Sequence, residues 1–181
     1  MINKGYIGNS FTYNGKVSFK LKRNGREYSL YTHNEGTKYL WDTVTKALAG
    51  QNVSDRVPRY IDFEYVLKEI VDTKEKEVPH SLITEPIPFT GIVWGEMAQE
   101  VTSEHNGTLM LTAVITANDK LSVDTSNPSI TRLQLTMKSK EGRTLATVSD
   151  DSLYDLYNSL TEGTDAVIEW RMIFKNEEVS A

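Results

Sequence analysis

The segment Ile130–Val148, which reads ITRLQLTMKSKEGRTLATV, predicts the fold class of this chain. Apolar and polar residues alternate over Ile130–Lys138, and successive side chains of a β-strand point to opposite faces. The alternation therefore indicates a strand with one buried face and one face in solvent. Glu141-Gly142 supplies a turn, so Thr144–Val148 is expected to return as the antiparallel partner of that strand.

The N-terminal part of the chain has the same alternation, and two Asn-Gly dipeptides interrupt it. Asn14-Gly15 and Asn24-Gly25 are both of the type that tolerates positive φ angles at the two central positions of a hairpin turn. These signals predict a three-stranded meander over residues 10–14, 16–23 and 26–32.

Two segments change to the helical spacing of three to four residues. The first helix is expected over residues 37–49, with Thr37 as its N-cap and Gly50 as its left-handed C-cap. The second is expected over residues 152–162, with Ser152 as its N-cap. The predicted buried stripes consist of Leu40, Trp41, Val44, Ala47 and Leu48 in the first helix and Leu153, Leu156, Tyr157 and Leu160 in the second.

Further strands are expected over residues 58–66, 89–94, 109–116 and 166–174. Residues 67–80 are rich in Lys and Glu and are expected to be a charged, solvated excursion. Since strands outnumber helices, the predicted fold class is α+β, mainly β. The expected architecture is an antiparallel sheet or sandwich with the two short helices on a face or an end.

A length of 181 residues fits a single domain over residues 1–181. Within it, the order strand, Gly-Arg turn, strand, helix, strand occurs twice, around Gly25-Arg26 and Gly142-Arg143. One interpretation is two hairpin–helix–strand halves, 1–66 and 109–181, joined by the charged excursion at 67–80. The other is that this common packing unit recurs by chance.

Composition excludes several classes of function. The chain has 25 acidic and 20 basic residues, and nucleic-acid binding draws most of its affinity from Lys and Arg, so no direct nucleic-acid binding is expected. It has no cysteine, which excludes disulfides, thiolate zinc sites and a cysteine nucleophile. We expect no signal peptide and no membrane span, because no apolar run has the required length.

The three histidines, His33, His80 and His105, lie in separate segments and none of them forms a metal-binding pair by spacing. They are expected to be solvent-exposed turn residues. No Ser lies in a G-x-S-x-G elbow and no glycine-rich loop can cradle a phosphate, so neither a hydrolase nor a nucleotide cofactor is expected.

One group of acidic residues is regularly spaced and is a candidate cation site. It consists of Glu96, Glu100 and Glu104, which recur every four residues. Three carboxylates on one helical face could bind a cation, but the same spacing describes the wet side of a short helix, which we favour. Asp150-Asp151 is expected to favour the positive end of the second helix. Three oxygen-bearing side chains near a turn lack the order of a calcium loop: Asp119, Asp124 and Asn127.

Basic and aromatic residues leave two further alternatives. The first hairpin has a basic face, which is expected to be solvated, although a nucleic-acid platform is the alternative. That face consists of Lys16, Lys20, Lys22, Arg23 and Arg26, with Phe19 and Tyr28 nearby. Trp41, Trp94 and Trp170 lie in periodic apolar patterns and are expected in the core or in a subunit interface rather than in a sugar-stacking platform.

Several turn and strand stretches carry a resemblance to a known class of proteins. They are Tyr31–Thr37, Leu40, Ala47–Gly50, Pro58–Ile61, Ile130-Thr131, Glu141–Ala146 and Ala166–Trp170. They are similar to segments in structural proteins of tailed bacteriophages, and the closing part resembles the small β-sandwich modules of head-decoration, collar and tail-fibre attachment proteins. The charged excursion and the first meander have no counterpart in the collar-type pattern.

The resemblance implies a non-enzymatic virion structural protein of a tailed phage, a repeating subunit of the head, collar or tail, located in the virion and assembled in the host cytoplasm. Its expected partners are other copies of itself and neighbouring virion proteins. No catalytic, cofactor-binding or metal-binding residue is predicted. The alternatives are a carbohydrate- or ligand-binding β-sandwich module in host or surface recognition, and an enzyme whose site is assembled from distant residues.

Overall fold

The computed structural model describes residues 8–21, 27–30, 36–96 and 106–179. The strands among them are β1 Gly8–Leu21, β2 Glu27–Leu30, β3 Pro58–Val71, β4 Lys74–Ser81, β5 Ile87–Pro88, β6 Gly91–Glu96, β7 Asn106–Thr116, β8 Ile130–Ser139, β9 Thr144–Val148 and β10 Asp165–Val179. The helices are α1 Lys38–Leu48 and α2 Ser152–Ser159, with a short 3-10 helix at Ala117–Asp119.

The strands form two antiparallel sheets. Sheet A has the order β2-β1-β10-β7-β6, and sheet B has the order β4-β3-β8-β9, with β5 paired to β3. Residues from both sheets and both helices share one buried apolar cluster, so the inner faces of the sheets pack together as a sandwich. The predicted class, α+β and mainly β with two helices, is confirmed.

The apolar residues of the alternating segments form the core. Leu109, Leu111, Ala113 and Ile115 of β7 are all buried, as are Leu133, Leu135 and Met137 of β8. Fully buried Trp170 lies in β10, in register with Leu111 of β7.

The connections between the two sheets follow the same plan twice. The β1–β2 hairpin lies in sheet A, and the chain then passes through α1 to β3 in sheet B. The β8–β9 hairpin lies in sheet B, and the chain passes through α2 to β10 in sheet A. Strand β3, which follows the β1–β2 hairpin, pairs with β8 of the second hairpin. Strand β10, which follows the β8–β9 hairpin, pairs with β1 of the first. The assignment of domains stays a prediction.

Helix α1 begins and ends where the sequence predicts. Thr37 Oγ1 accepts a hydrogen bond from the Leu40 N–H, and Gly50 adopts a left-handed φ of 72°. The Thr37 N–H also donates to the Leu145 carbonyl at 3.1 Å, which fixes the start of α1 to the edge strand β9. Ala47 and Leu48, both predicted to be buried, are instead exposed, Leu48 by 85%, because the last turn of α1 lies outside the buried cluster.

Helix α2 differs from prediction at both ends. Ser152 is its first helical residue rather than its N-cap, and its N–H and hydroxyl both donate to Asp150 Oδ1. The helix ends at Ser159 rather than at residue 162, where Lys120 Nζ donates to the Tyr157 carbonyl at 2.8 Å. A cation is favourable at the carbonyl end of a helix, so this lysine stabilises the terminus. The predicted buried stripe of α2 is confirmed.

The prediction of a turn at Asn14-Gly15 is wrong. Both residues lie inside β1, where Asn14 is in register with Ile173 and Gly15 with Met172 of β10. A strand with a partner along its whole length keeps its ladder hydrogen bonds only if it stays extended. Asn24-Gly25 lies outside the described residues, although β1 and β2 do pair antiparallel, with Phe19 opposite Tyr28.

Residues 67–80, predicted as a charged, solvated excursion, have regular β-structure. β3 continues to Val71, the chain turns at Asp72-Thr73, and β4 returns beside it. The pairing of β3 with β8 ends at Leu67, so the following residues extend past the sheet as a two-stranded ribbon. We call residues 68–77 the arm; as expected for a solvated segment, none of its side chains is buried.

The turn of the arm predicts a stabilising substitution. Thr73 has a φ of 66°, which is an outlier for a β-branched residue. Thr73→Gly should therefore relieve about 1 kcal/mol of backbone strain. Part of this gain in stability is offset because glycine makes the unfolded chain more flexible. We expect slower amide hydrogen exchange throughout β4.

The control is Gly142→Ala. Gly142 has a φ of 76°, and an added Cβ would meet no atom within 4 Å, so only the backbone penalty remains. That variant should unfold more easily by roughly 1 kcal/mol. Faster exchange in β4 of the Thr73→Gly variant would contradict the assignment of strain to this turn.

Candidate functional site

A cluster of charged side chains joins β3 to β8 on the face of sheet B opposite the shared core. Asp62 and Glu64 alternate with the core residues Ile61 and Phe63, yet they are only 3% and 5% exposed. Lys138 projects from β8, where its strand neighbour Thr136 is in register with Asp62. Buried charges are costly unless they are paired, so the contacts of this cluster decide its role.

Lys138 bridges the two carboxylates. Its Nζ lies 2.5 Å from Asp62 Oδ2 and 2.8 Å from Glu64 Oε1. The second oxygen of Glu64 accepts hydrogen bonds from Gln134 Nε2 and from Thr136 Oγ1, each at 2.7 Å. The second oxygen of Asp62 lies 2.7 Å from Ser81 Oγ of β4. Each of the four carboxylate oxygens therefore has a donor from the same chain.

The two carboxyl groups respond differently to this environment. Burial raises the pKa of Asp62, and the contacts with Lys138 and Ser81 offset that only in part. Burial also raises the pKa of Glu64, but the hydrogen bonds from Lys138, Gln134 and Thr136 together outweigh it, so this pKa is lowered. The ionised form of Glu64 is thus the one that the fold stabilises, whereas ionised Asp62 is tolerated at a cost.

The cluster is suited to holding β3 against β8 and not to binding a substrate. A reactive acid or base needs an oxygen or nitrogen that can reach a ligand, and these carboxylate oxygens already accept hydrogen bonds from the chain itself. The prediction of a solvated polar face on β8 is accordingly wrong at Gln134 and Thr136, which are buried.

An apolar cleft opens between α1, the loop that follows it and the inner face of sheet A. Its volume is about 300 Å³, at the lower end of the range for small-molecule pockets. The lining residues are Leu40, Thr43, Val44, Ala47, Val53, Arg56, Val57, Pro58, Leu109, Leu111 and Met172. The hydroxyl of Thr43 donates to the Tyr39 carbonyl within α1, so it is not free to donate to a ligand.

Arg56 is the charged residue in the lining of the cleft, and it pairs with Asp42 of α1. Asp42 accepts from Arg56 Nη1 at 2.5 Å and from Lys46 Nζ at 3.1 Å, and these contacts, that of Arg56 first, lower the pKa of Asp42. The Arg56 guanidinium also lies over the Tyr39 ring, 4.9 Å from its centroid. Val57, which lines the cleft, is 42% exposed, and Leu48 in the last turn of α1 is almost fully exposed.

His80 is not the turn residue that the sequence predicts. It lies in β4, its ring stacks on Tyr65 at 5.3 Å, and its Nε2 is 2.7 Å from Glu69 Oε1. His33 and His105 lie outside the described residues.

The spaced glutamates do not form a described helix. Glu96 is the last residue of strand β6, where it is in register with Gly107, so the helical interpretation is wrong there. Glu100 and Glu104 lie outside the described residues. Asp119 and Asp124 accept hydrogen bonds from Thr116 and Ser126 in their own turns.

Within the part of the chain that the structure describes, no three His, Asp or Glu side chains come together in a way that could hold a metal ion. Asn127 Oδ1 accepts a local hydrogen bond from the Ser129 N–H. Asp150 contacts the first turn of α2 as predicted, and Asp151 occupies the N-cap position without a side-chain hydrogen bond.

The described tryptophan side chains offer no open stacking surface. Trp170 is fully buried and its Nε1 has no hydrogen-bond partner, while Trp41 is half-buried against the core. The side chain of Trp94 and those of the basic first hairpin lie outside the described part, so the alternatives for those residues stay predictions.

Comparison with protein-family models, curated proteins and solved structures finds no match for this chain. The resemblance to tailed-phage structural proteins therefore stays a prediction. Neither α1 nor α2, the α-helices among the described residues, is long and apolar enough to cross a membrane.

The charge cluster predicts unequal effects of two neutralising substitutions. Glu64→Gln should lower the free energy of unfolding at neutral pH by about 1–3 kcal/mol, because it removes the charged acceptor of three donor contacts, from Lys138, Gln134 and Thr136. Asp62→Asn should cost less, since the fold disfavours ionised Asp62. Urea unfolding of both variants at several pH values measures the difference.

The pH dependence has opposite signs for the two groups. The lowered pKa of Glu64 gives stability that is present above its ordinary value of 4.5 and is lost as pH falls through the folded-state pKa. The raised pKa of Asp62 gives stability that is present below 3.8 and is lost as pH rises through the folded-state pKa. Glu64→Gln should therefore reduce the loss of stability in acid, and Asp62→Asn should not. Identical pH profiles for the two variants would contradict this electrostatic assignment.

Proposed function

We propose that this chain is a non-enzymatic structural subunit that works by contact with other proteins. The assembly that the sequence resemblance points to is the virion of a tailed phage, in which the chain would repeat in the head, collar or tail. Its partners in this proposal are copies of itself and neighbouring virion proteins, and assembly takes place in the host cytoplasm.

The arm is the observation that carries the proposal. A two-stranded ribbon is marginally stable by itself in water, and the arm extends past the last pairing of β3 with β8. Its ion pairs, such as Lys68 with Glu75 at 3.1 Å, join half-exposed side chains and are worth less than about 1 kcal/mol each. Its tip nevertheless presents Ile70, which is 73% exposed. A projecting apolar side chain on such a ribbon is suited to contact with another protein.

The rest of the molecule supports a role without catalysis. The buried charges of Asp62, Glu64 and Lys138 are occupied in holding two strands together. The cleft beside α1 is lined almost entirely by apolar side chains, which suits binding and offers no nucleophile or base.

The carbohydrate-binding alternative needs aromatic rings open to solvent. Trp41 and Trp170 are half-buried and fully buried, so neither described side chain favours it. A response of tryptophan fluorescence to a polysaccharide panel would move the assignment toward that alternative.

The test is a chain without the arm. Leu67 and Val78 are register partners, so residues 68–77 can be replaced by Asn-Gly as a two-residue hairpin turn. Because no buried side chain is lost, the free energy of unfolding should change by less than about 1 kcal/mol. Mass spectrometry of particles sedimented from the source culture should then detect the intact chain and not the shortened one.

The matched control keeps the arm and changes a surface residue elsewhere, Glu85→Gln, and it should be incorporated normally. Absence of the intact chain from every particle fraction would end the proposal of a structural subunit. If the shortened chain were incorporated as well as the intact one, the arm would not be needed for the structural role.

A further inference from the structure

The buried charge cluster of sheet B holds an amine and a carboxyl group in contact and away from water. Lys138 Nζ lies 2.5 Å from Asp62 Oδ2 and 2.8 Å from Glu64 Oε1. The side chains of the two acids are only 5% and 7% exposed, and that of Lys138 is 18% exposed. Close contact and exclusion of water both favour the condensation of an amine with a carboxylic acid, because that reaction releases a water molecule.

The nitrogen of Lys138 is placed to attack the carboxyl carbon of Asp62. That carbon, Cγ, is bonded to the oxygen that Nζ contacts, so the nitrogen is close to the separation of about 3–3.5 Å from which such reactions start. The paired strands fix both groups, because Asp62 of β3 is in register with Thr136, two residues before Lys138 on β8. Groups oriented in this way react as if each were present at on the order of 10⁵ M or more.

An exposed ion pair of the same chain lacks one of these conditions. Lys140 Nζ lies 2.8 Å from Asp55 Oδ1, but the two side chains are 63% and 55% exposed. Water stabilises both charged forms there, and a protonated amine has no electron pair with which to attack. The two pairs thus have the same functional groups at similar distances and differ in burial.

The surroundings of the buried pair are suited to moving its protons. Burial raises the pKa of Asp62, which favours the neutral acid that an amine can attack. Burial also raises the pKa of Glu64, but its hydrogen bonds outweigh this and lower it, so Glu64 is a carboxylate that can accept a proton. Environments that separate two pKa values in this way assign the roles of acid and base.

The amine itself is held mainly in its charged form. Burial lowers the pKa of Lys138, but the contacts with Asp62 and Glu64 outweigh this and raise it. The neutral amine therefore forms when Lys138 passes a proton directly to Asp62 inside the pair. Because this is the minor form, we expect the condensation to be slow and to follow folding.

We propose that Lys138 and Asp62 condense to an amide bond that links β8 to β3 covalently, with Glu64 as the proton carrier. The reaction takes place once in each chain and acts on no other molecule, so it agrees with a non-enzymatic role. It does not rest on the proposed structural function, and each can fail without the other.

The steps balance without an oxidant, a reductant or a further reactant. Lys138 Nζ first gives one proton to Asp62 Oδ2, and its electron pair then forms a bond to Cγ. Negative charge develops on Oδ1, which lies 2.7 Å from the Ser81 hydroxyl, a donor that can stabilise it. Glu64 Oε1 takes a second proton from Nζ and passes it to Oδ2. The bond between Cγ and Oδ2 breaks, Oδ2 leaves as water, and Glu64 is again a carboxylate.

The bond would join the two central strands of sheet B, whose order is β4-β3-β8-β9. Asp62 and Lys138 are 76 positions apart, so the link closes a long loop. Such a loop stays closed in the unfolded chain, which reduces the entropy gained on unfolding. The linked form should accordingly unfold at a higher temperature than the unlinked one.

Intact mass spectrometry tests the bond directly. The purified chain, incubated at neutral pH and sampled over several days, should reach a mass below that of its sequence by one water molecule. Trypsin should then release a branched peptide that joins residues 60–68 to residues 133–140, with no cleavage after Lys138. In a denaturing gel the linked chain should migrate ahead of the unlinked one, because its closed loop makes it more compact.

Three variants serve as controls, and circular dichroism establishes that each of them folds. Lys138→Arg keeps a cation beside both acids but cannot form the bond, so it should retain the mass of its own sequence. Lys140→Arg changes the exposed pair and should leave the loss of water unchanged. Glu64→Gln removes the proton carrier and should slow the loss by about a hundredfold or more.

A wild-type chain that keeps its full mass throughout the incubation overturns the proposal, because the pair then stays an ion pair. Loss of water that persists in Lys138→Arg also overturns it, since the water would come from another site. Condensation of Glu64→Gln at the wild-type rate would overturn the role of Glu64. The intact mass also shows which form a sample contains, and the pH behaviour described above for Asp62 belongs to the unlinked form.

Discussion

The antiparallel pairing of β1 with β10 is the interaction on which the rest of this structure depends. It joins the first described strand to the last over fourteen register pairs, from Gly8 with Val179 to Leu21 with Ala166. Without β10, the β1–β2 hairpin would have no neighbour in sheet A, and a lone hairpin is marginally stable. The reciprocal pairing of β3 with β8 does the same for sheet B. Both pairings join strands that are far apart in the sequence, so forming them carries an entropic cost of loop closure.

Local signals in the sequence were sufficient for most elements and failed where a distant partner decides the conformation. Asn14-Gly15 has the residues of a hairpin turn, but the apolar positions stay odd-numbered from Phe11 to Leu21. A two-residue turn would shift that phase, so the unbroken alternation already favoured one long strand. The turn at Asp72-Thr73 could not be recognised from the sequence, because threonine seldom adopts the positive φ that this turn requires.

The candidate sites were beyond prediction for a related reason. Glu64 and Thr136 are 72 positions apart, and their contact exists only because β3 and β8 are paired in one particular register. Gln134 and Thr136 look like solvent-facing residues in an alternating strand, but both are buried and donate hydrogen bonds to Glu64 on the paired strand. The cleft likewise requires α1 to lie over β7 and β10, which no pattern within α1 specifies.

One edge of sheet B is protected against pairing with a strand from another molecule. β4 forms that edge, and its exposed residues include Lys74, Lys76 and Pro79. Proline has no N–H to offer an incoming strand, and lysines on an edge oppose strand addition. Backbone-to-backbone stacking, the route by which open sheets grow into amyloid-like aggregates, is therefore disfavoured along this edge.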